Sequence, residues 1–542
     1  MRDAGRTYLE GAFDREPFLR RARTSSKVTI PSLVPDLGHN ADSDLPTPYQ
    51  GLGAQGVNNL ASKLLLSLFP PTQPFFRLVP QDPEALRGAG PKVQQEVEEG
   101  LTRMEKVIAS EFEVMALRVK LFEALKHLLI AGNVCLHVQA DGSSRVLGLE
   151  QYVARRSPMG WLECLVTKEE LDRETLPPDL EALVSSSAPT ANPIQEGVSA
   201  FANDRAGRGR PAVCLHTCVE WDPADEKYHV HQTLEGKYVP DSAGSYRPEL
   251  LPYLVLRYAT VDGEDYGRGM VEEIVGDLLS LEGLMKAILE AAAISARLVG
   301  LVDPAGAATA DDLNNAPNGA FVVGRATDVT YPQVSKNGDL QVAFSTKAGI
   351  EERLARAFLL NTAVQRNAER VTAEEIRYVA QELESTLGGV FSVLSQELQL
   401  PLVQMLMDRL TRQKRIQKLP PKTIRPAIVT GVEALGRGQE LAKINVATQA
   451  AASVVGPEAL AQYINARVLI GAIFTAAGVD TTGLVKSEAE VAEQSRQAQM
   501  MAMAQRVGPN VVNQLGPGAA ERMGLGPSQG TKNTEPPKAT PA

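Results

Sequence analysis

The sequence predicts a mainly α-helical chain with an α+β region in its first half, on three observations. Aromatic residues make up only 5% of 542 while Ala, Leu, Gln and Glu abound, a balance that favours helix packing over a β-sandwich. Apolar residues recur at intervals of three and four over long runs on both sides of a central stretch. Between Val134 and Tyr258 the period drops to two, with turn residues between short β-rich runs. At about 100–200 residues per domain, the length implies three or four structural parts.

The elements follow in order. Residues 1–28 read as a basic, amphipathic arm containing Phe18-Leu19-Arg20-Arg21. Thr29-Ile30-Pro31-Ser32-Leu33-Val34-Pro35 is extended, because each Pro disfavours helix in the residue before it. Val57, Leu60, Leu64, Leu65 and Leu68 give 56–69 a helical face, which Pro70-Pro71 ends. A second helical stretch covers 93–131, with Val97, Leu101, Met104, Ile108, Phe112, Leu121, Leu125 and Leu128. The period-two region holds candidate strands at 134–138, 161–167, 213–221, 227–234 and 253–258, and Asp222-Pro223-Ala224-Asp225 suits a hairpin connection. Residues 189–209, rich in Ala, Asn and Gly, read as a mobile loop.

Helix returns at 267–298, long enough for one rod of about 48 Å at about 1.5 Å per residue. It carries Glu272, Glu273, Asp277, Glu282 and Glu290 against Arg268, Lys286 and Arg297. A Gly/Pro/Asn-rich excursion follows, with short strands expected at 321–323 and 328–331, and helix resumes from about 346 to 360. The polar loop 361–370 then precedes a capping box, Thr372-Ala373-Glu374-Glu375, that starts a long helix reaching Leu398, with bends expected at Gly388-Gly389 and Pro401. Further helices fill 438–479, and from 486 the Gln-, Met-, Gly- and Pro-rich tail is expected to pack no core.

Several function classes are disfavoured. No run reaches the roughly 18 uninterrupted apolar residues of a membrane helix, since Lys63 and Arg297 break the nearest ones. The charged first segment has no apolar core of the secretory kind, and four cysteines in so long a chain make no disulfide framework, as befits a reducing cytoplasm. Gly51-Leu52-Gly53-Ala54-Gln55-Gly56 matches a dinucleotide fingerprint, but Asp44-Leu45-Pro46-Thr47-Pro48 stands where the buried strand must be, so it reads as a turn into a helix. There is no phosphate-binding G-x-x-x-x-G-K-[S/T], and no Ser, His or Cys sits in a nucleophile motif. Pairs such as Glu272-Glu273, Glu351-Glu352 and Glu374-Glu375 suit solvated helix faces. Cys214, His216 and Cys218 face His229 and His231 across the hairpin, which makes a metal site conceivable, yet alternation at two is what any half-buried strand shows. The expectation is no catalytic residue, no cofactor and no metal.

Six blocks carry a resemblance. Thr47-Pro48 with Gly53 to Leu64, Leu121 to Lys126, Asp262-Gly263-Glu264-Asp265-Tyr266-Gly267-Arg268, Glu369 to Ala380, Leu394 to Leu402, and Ala434 to Gln439 stand in the order found in the head-tail connector (portal) proteins of autographivirus-type short-tailed bacteriophages (podoviruses), and together they resemble that family from about Thr29 to Leu441. The arm, the 189–209 loop and the tail lie outside the likeness.

The resemblance implies the phage portal fold, with wing, stem, clip and crown, in a ring of twelve identical subunits at one capsid vertex. The arm and α+β wing would occupy 1–266, the stem helices 267–298 and 345–361, the clip 299–344, and the channel loop 362–371. Residues 372–442 would hold the long helix and the wing return, 443–485 the helical crown, and 486–542 the flexible tail. Gln365, Arg366, Asn367 and Arg370 would reach DNA from the channel loop, and Glu282, Lys286, Glu290 and Arg297 are stem charges expected at the channel. The implied partners are further copies of the chain, the terminase large subunit, capsid and scaffolding proteins, internal core proteins, a tail adaptor, and double-stranded DNA without sequence specificity, with no membrane. A head-completion or scaffold-interacting virion protein that lines no channel is the alternative. The formal charge of −10 is wrong for a protein that grips DNA, since tight binding comes from neutralising phosphates, but suits a wall along which DNA slides.

Overall fold

The computed structural model describes residues 3–39, 43–70, 75–81, 91–139, 141–173, 176–185, 212–295, 301–330, 337–360, 387–417 and 424–428, with a few helical positions between 447 and 469. Two compact units divide the chain, 1–435 and 436–542. The described part of the second is confined to those few helical positions, so the architecture below is that of the first.

Helix α1 (Ala4–Lys27) is capped by Asp3, whose carboxylate accepts the Gly5 N–H. The segment read from the sequence as a basic, amphipathic arm forms a helix with one side packed on the rest of the unit. Tyr8, Leu19 and Ala22 are buried, and the buried Arg15 donates to the carbonyls of Glu150 and Tyr152, so its charge is satisfied by backbone oxygen. Helix α2 (Leu52–Leu68) begins at the Gly-rich turn, where a Cβ on Gly53 would stand 2.3 Å from the Val28 carbonyl. This close approach explains the glycine without any nucleotide. The stretch read as one helix over 93–131 is two, α3 (Pro91–Val114) and α4 (Leu117–Ala131), broken where Ala116 takes a left-handed φ of 48°.

Two antiparallel sheets follow. The larger has the order β4 (Tyr152–Arg156), β5 (Leu162–Asp172), β6 (Ala212–Asp222), β7 (Lys227–Leu234), β8 (Lys237–Tyr238), with β9 (Gly244–Tyr246) also on β7. The smaller places β2 (Asn133–Val138) between β10 (Tyr253–Arg257) and β3 (Ser144–Leu147). Strands β3 and β4 escaped the sequence reading, and β5 runs on through Lys168-Glu169-Glu170, where Glu169 pairs with Arg145 of β3 in the smaller sheet at 2.5 Å. A separate antiparallel pair joins β1 (Phe76–Pro80) to β13 (Ile424–Ile428).

From the smaller sheet the chain enters α6 (Met270–Ser295), after the short α5 (Pro178–Ser185) earlier in the chain. At about 1.5 Å per residue α6 is some 39 Å long. Beyond it, β11 (Leu301–Val302) pairs with β12 (Val329–Thr330) around the six-residue helix α7 (Ala310–Asn315). The strand expected at 321–323 is not formed: Phe321 and Val323 are exposed and lie outside any ladder. The return helix α8 (Asn337–Ala357) begins eight residues before the expected 345. Residues 387–394 are helical straight through Gly388-Gly389, then a π-turn at Ser395–Gln399 leads into α9 (Leu400–Arg412). Pro401 has no N–H to offer the preceding turn, which locates the irregularity just before it.

One apolar core joins these helices. Val57, Leu60 and Leu64 of α2, Leu121, Leu125 and Leu128 of α4, Leu278 and Leu281 of α6, Leu354 of α8, and Leu402 and Leu406 of α9 belong to it. Among the described residues, no helix is long and apolar enough to cross a membrane.

Candidate functional site: a helical hairpin and its anchors

Helices α6 and α8 form an antiparallel hairpin, and the residues that fix its two ends are specific. At the start of α6, Asn133 clasps the chain: its Nδ2 donates to the Gly267 carbonyl at 2.8 Å and its Oδ1 accepts the Gly267 N–H at 2.7 Å. A Cβ on Gly267 would lie 2.8 Å from the Ala259 carbonyl, so the backbones meet too closely for any other residue. Arg268 bonds Glu264 and Glu272, and Arg21 of α1 adds a 3.0 Å pair to Glu272. Hydrogen bonding from Arg268 holds the Glu264 carboxyl below its ordinary range.

Along the hairpin, Leu278 and Leu281 of α6 are buried in one apolar cluster with Ile350 and Leu354 of α8, and Ile288 is buried further along α6. Asp277 and Arg353 tie the helices at 2.8 Å, and the guanidinium hydrogen bond lowers the Asp277 carboxyl while raising Arg353. The pair is largely exposed, so it fixes geometry more than it stabilises.

At the far end of α8, Phe358 is fully buried and lies on α2, where a Cβ on Gly56 would stand 2.3 Å from its ring. Asn59 Nδ2 donates to the Phe358 carbonyl at 3.2 Å, and Lys63 Nζ to the Leu359 carbonyl at 2.6 Å. A cation on the last carbonyls of a helix is favourable both as a hydrogen bond and against the helix dipole. Leu359 itself sits at φ 52°, which turns the chain out of the helix.

A third anchor holds the helix around 395. Glu397 accepts from Arg257 side chain at 2.9 and 2.5 Å and from the Arg257 N–H at 2.9 Å, with Arg156 3.8 Å away. Gln399 is wholly buried and donates to the Leu68 carbonyl at 2.7 Å. Burial lowers Arg156, while Glu397 opposes that shift.

The residues singled out in the sequence fall as follows. Lys286 and Glu290 are exposed on α6. Glu282 is engaged within the chain: its carboxylate accepts the Tyr49 and Gln50 N–H groups at 2.9 and 3.2 Å, fixing the approach to α2. Arg297, Gln365, Arg366, Asn367 and Arg370 lie outside the described residues, as do the capping box at Thr372, the 189–209 loop and the tail. Within Met270–Ser295 five acidic residues stand against one lysine. Asn59, Lys63, Asn133 and Glu397 were not singled out one by one, yet three of them, Asn59, Lys63 and Glu397, sit inside the blocks that carried the resemblance. Of the strand residues considered for metal, the structure separates the groups: Cys218 lies with Cys164 and Glu220, while His229 lies with Asp222 and Asp225.

The family model described as bacteriophage head to tail connecting protein matches residues 8–485. The portal protein of Escherichia phage T7 is 40% identical over 493 residues, covering 90% of this chain and 89% of that one. The portal protein of Enterobacteria phage T3 is 39% identical over 507 residues, covering 93% and 90%. A solved structure titled as the neck of an empty GTA particle computed with C6 symmetry covers 73% of this chain and 86% of its own at 14% identity, with a TM-score of 0.35. A match over most of the chain to the family model, together with two such relatives, places the chain in one family: it belongs to the bacteriophage head to tail connecting proteins.

Proposed function

We propose that this chain is the subunit of a portal ring at the head-tail junction of the virion, a structural component through which double-stranded DNA passes inward during packaging and outward during ejection. The observation that carries this is end-to-end kinship with phage portal proteins at about two residues in five. The α6–α8 hairpin, pinned where α6 begins and where α8 ends and acidic along α6, supports its use as the channel wall. A wall of one charge sign repels the duplex and leaves it free to slide.

Residues 301–330 favour assembly with further copies. Only Ala308 and Asp328 are buried there, while Phe321, Val323 and Leu301 are exposed. Ordering a residue costs about 1–2 kcal/mol, and so little burial within one chain does not offset that. Packing of this excursion against its neighbours in a closed ring supplies the missing burial. Leu289 and Ile294 of α6 and Val342 and Phe344 of α8, all exposed, suit the same contacts. In this reading 299–344 is the clip, 362–371 the channel loop, and 443–485 the crown; the clip meets the packaging motor and later the tail.

In the channel loop Arg366 and Arg370, beside Gln365 and Asn367, touch phosphates in any register, so the ring centres the duplex without reading sequence. The test is Arg366→Ala with Arg370→Ala. Rings should form normally while the yield of DNA-filled heads falls; a normal yield of filled heads overturns the role of the loop.

A further inference from the structure

We propose that the tip of the β6–β7 hairpin binds a divalent transition-metal ion through the imidazole of His229 and the carboxylates of Asp222 and Asp225. The three ligand atoms lie within 4.8 Å of one another. His229 Nε2 is 3.4 Å from Asp225 Oδ2 and 3.7 Å from Asp222 Oδ2. These separations discriminate between two accounts of the cluster. A charge-assisted N–H to carboxylate hydrogen bond is about 2.7–2.9 Å, so both contacts are too long for one. Two ligand atoms each about 2.1 Å from a tetrahedral ion stand roughly 3.4 Å apart, close to the 3.4 and 3.7 Å that separate the imidazole nitrogen from the two carboxylates.

The state of the nitrogen points the same way. Nε2 of His229 is screened from solvent and makes no hydrogen bond among the described residues, although the side chain as a whole is 43% exposed. It is aimed between the two carboxylates. Asp222 uses its other oxygen, Oδ1, to accept the Ala224 N–H at 2.9 Å, which leaves Oδ2 to turn toward the imidazole.

The donor set defines the ligand. Calcium and magnesium take oxygen ligands, calcium six to eight of them, whereas one imidazole with two carboxylates suits zinc, nickel, cobalt or copper. Three protein ligands leave at least one position for water or for a donor from another molecule. Cys164, Cys218 and Glu220 form a second group, but both thiols are buried in an apolar cluster with Ala4, Tyr8, Val153 and Val166, where cysteine packs as a small hydrophobe. The proposal stands on the hairpin alone and does not depend on the ring.

The test is calorimetric titration of the chelator-treated full-length protein with zinc chloride, beside His229→Gln, Asp225→Asn and the pair Cys164→Ala with Cys218→Ala. Electron paramagnetic resonance with copper(II) is recorded on the wild type and on His229→Gln. One zinc per chain is expected, with affinity reduced about tenfold or more in His229→Gln and Asp225→Asn, since loss of even a supporting partner costs that much. The cysteine pair should bind as the wild type does, and the nitrogen coupling to copper should vanish in His229→Gln. Failure to bind zinc, binding that His229→Gln leaves unchanged, or a copper nitrogen signal that survives in His229→Gln each overturns the proposal.

Discussion

Replacing Gly56 with alanine sets two well-understood effects against each other, and the structure says which wins. Gly56 lies inside α2, where alanine is the better helix former by about 0.8–1.0 kcal/mol. Propensity alone therefore predicts a more stable protein. The new methyl, however, would stand 2.3 and 2.4 Å from two carbons of the Phe358 ring, and that ring is fully buried where α8 ends. Neither the ring nor the helix can yield without disturbing the Asn59 and Lys63 bonds to the same turn. Overpacking of a filled core costs about 1–3 kcal/mol, and contacts this short belong at the upper end, so Gly56→Ala should be net destabilising, by up to roughly 2 kcal/mol once propensity is subtracted. Gly100 in α3 serves as control, because a Cβ there meets nothing within 4 Å; Gly100→Ala should raise stability by up to about 1 kcal/mol. Phe358→Leu in the Gly56→Ala background should recover part of the loss, a coupling that distant sites do not show. Chemical unfolding of the full-length chain and its variants reads all three. If Gly56→Ala stabilises as Gly100→Ala does, or if the double variant is merely additive, the contact between α2 and the end of α8 does not fix the hairpin.

Two more predictions follow from buried charge. Glu397→Ala takes the carboxylate from the buried Arg257, 11% exposed, and leaves the neighbouring Arg156, 6% exposed, with the Gly160 and Val255 carbonyls alone, and should cost about 3–5 kcal/mol; a loss below about 1 kcal/mol in denaturant unfolding contradicts the anchor. His127 and His216 are pulled down to about 4, His127 and His216 alike chiefly by burial. Their folded pKa lies below the unfolded value of about 6.5, so the unfolded chain binds more protons, and stability is full above 6.5 and falls as pH drops toward 4. Each histidine forfeits up to about 3 kcal/mol. Melting temperature followed from pH 7 to 5, above most carboxylate titration, should decline, and a flat profile contradicts the buried neutral histidines.

What the sequence made legible follows from how local each signal is. Strand β7 was bounded at 227–234 as found, because alternation, a hairpin turn and β-rich residues coincide there. Helix α6 was likewise evident from its repeating apolar face. Strands β3 and β4 were hidden, since their stability lies in backbone pairing with neighbouring strands, which a local sequence does not show. The β1–β13 pair joins segments far apart in the chain, and Pro80 and Pro426 within it speak against strand. The break at Ala116 carries no glycine or proline to announce it. The earlier start of α8, at Asn337, sits in a stretch rich in Asn and Gly that reads locally as turn. The hairpin anchors were half legible. The blocks holding Gly56, Asn59, Lys63, Arg268 and Glu397 stood out by resemblance, but nothing local says that Lys63 caps a helix ending almost three hundred residues later. Glu282, expected at the channel, also binds two backbone amides of its own chain, a role that no local signal shows.

Electron cryomicroscopy of the purified full-length protein bears most directly on the whole account. It should reveal a closed ring with an axial opening that admits duplex DNA, the Met270–Ser295 helix on the wall of that opening, and the 301–330 excursions packed against their neighbours. Particles without an axial opening, or rings that carry this helix on their outer surface, contradict the proposed passage.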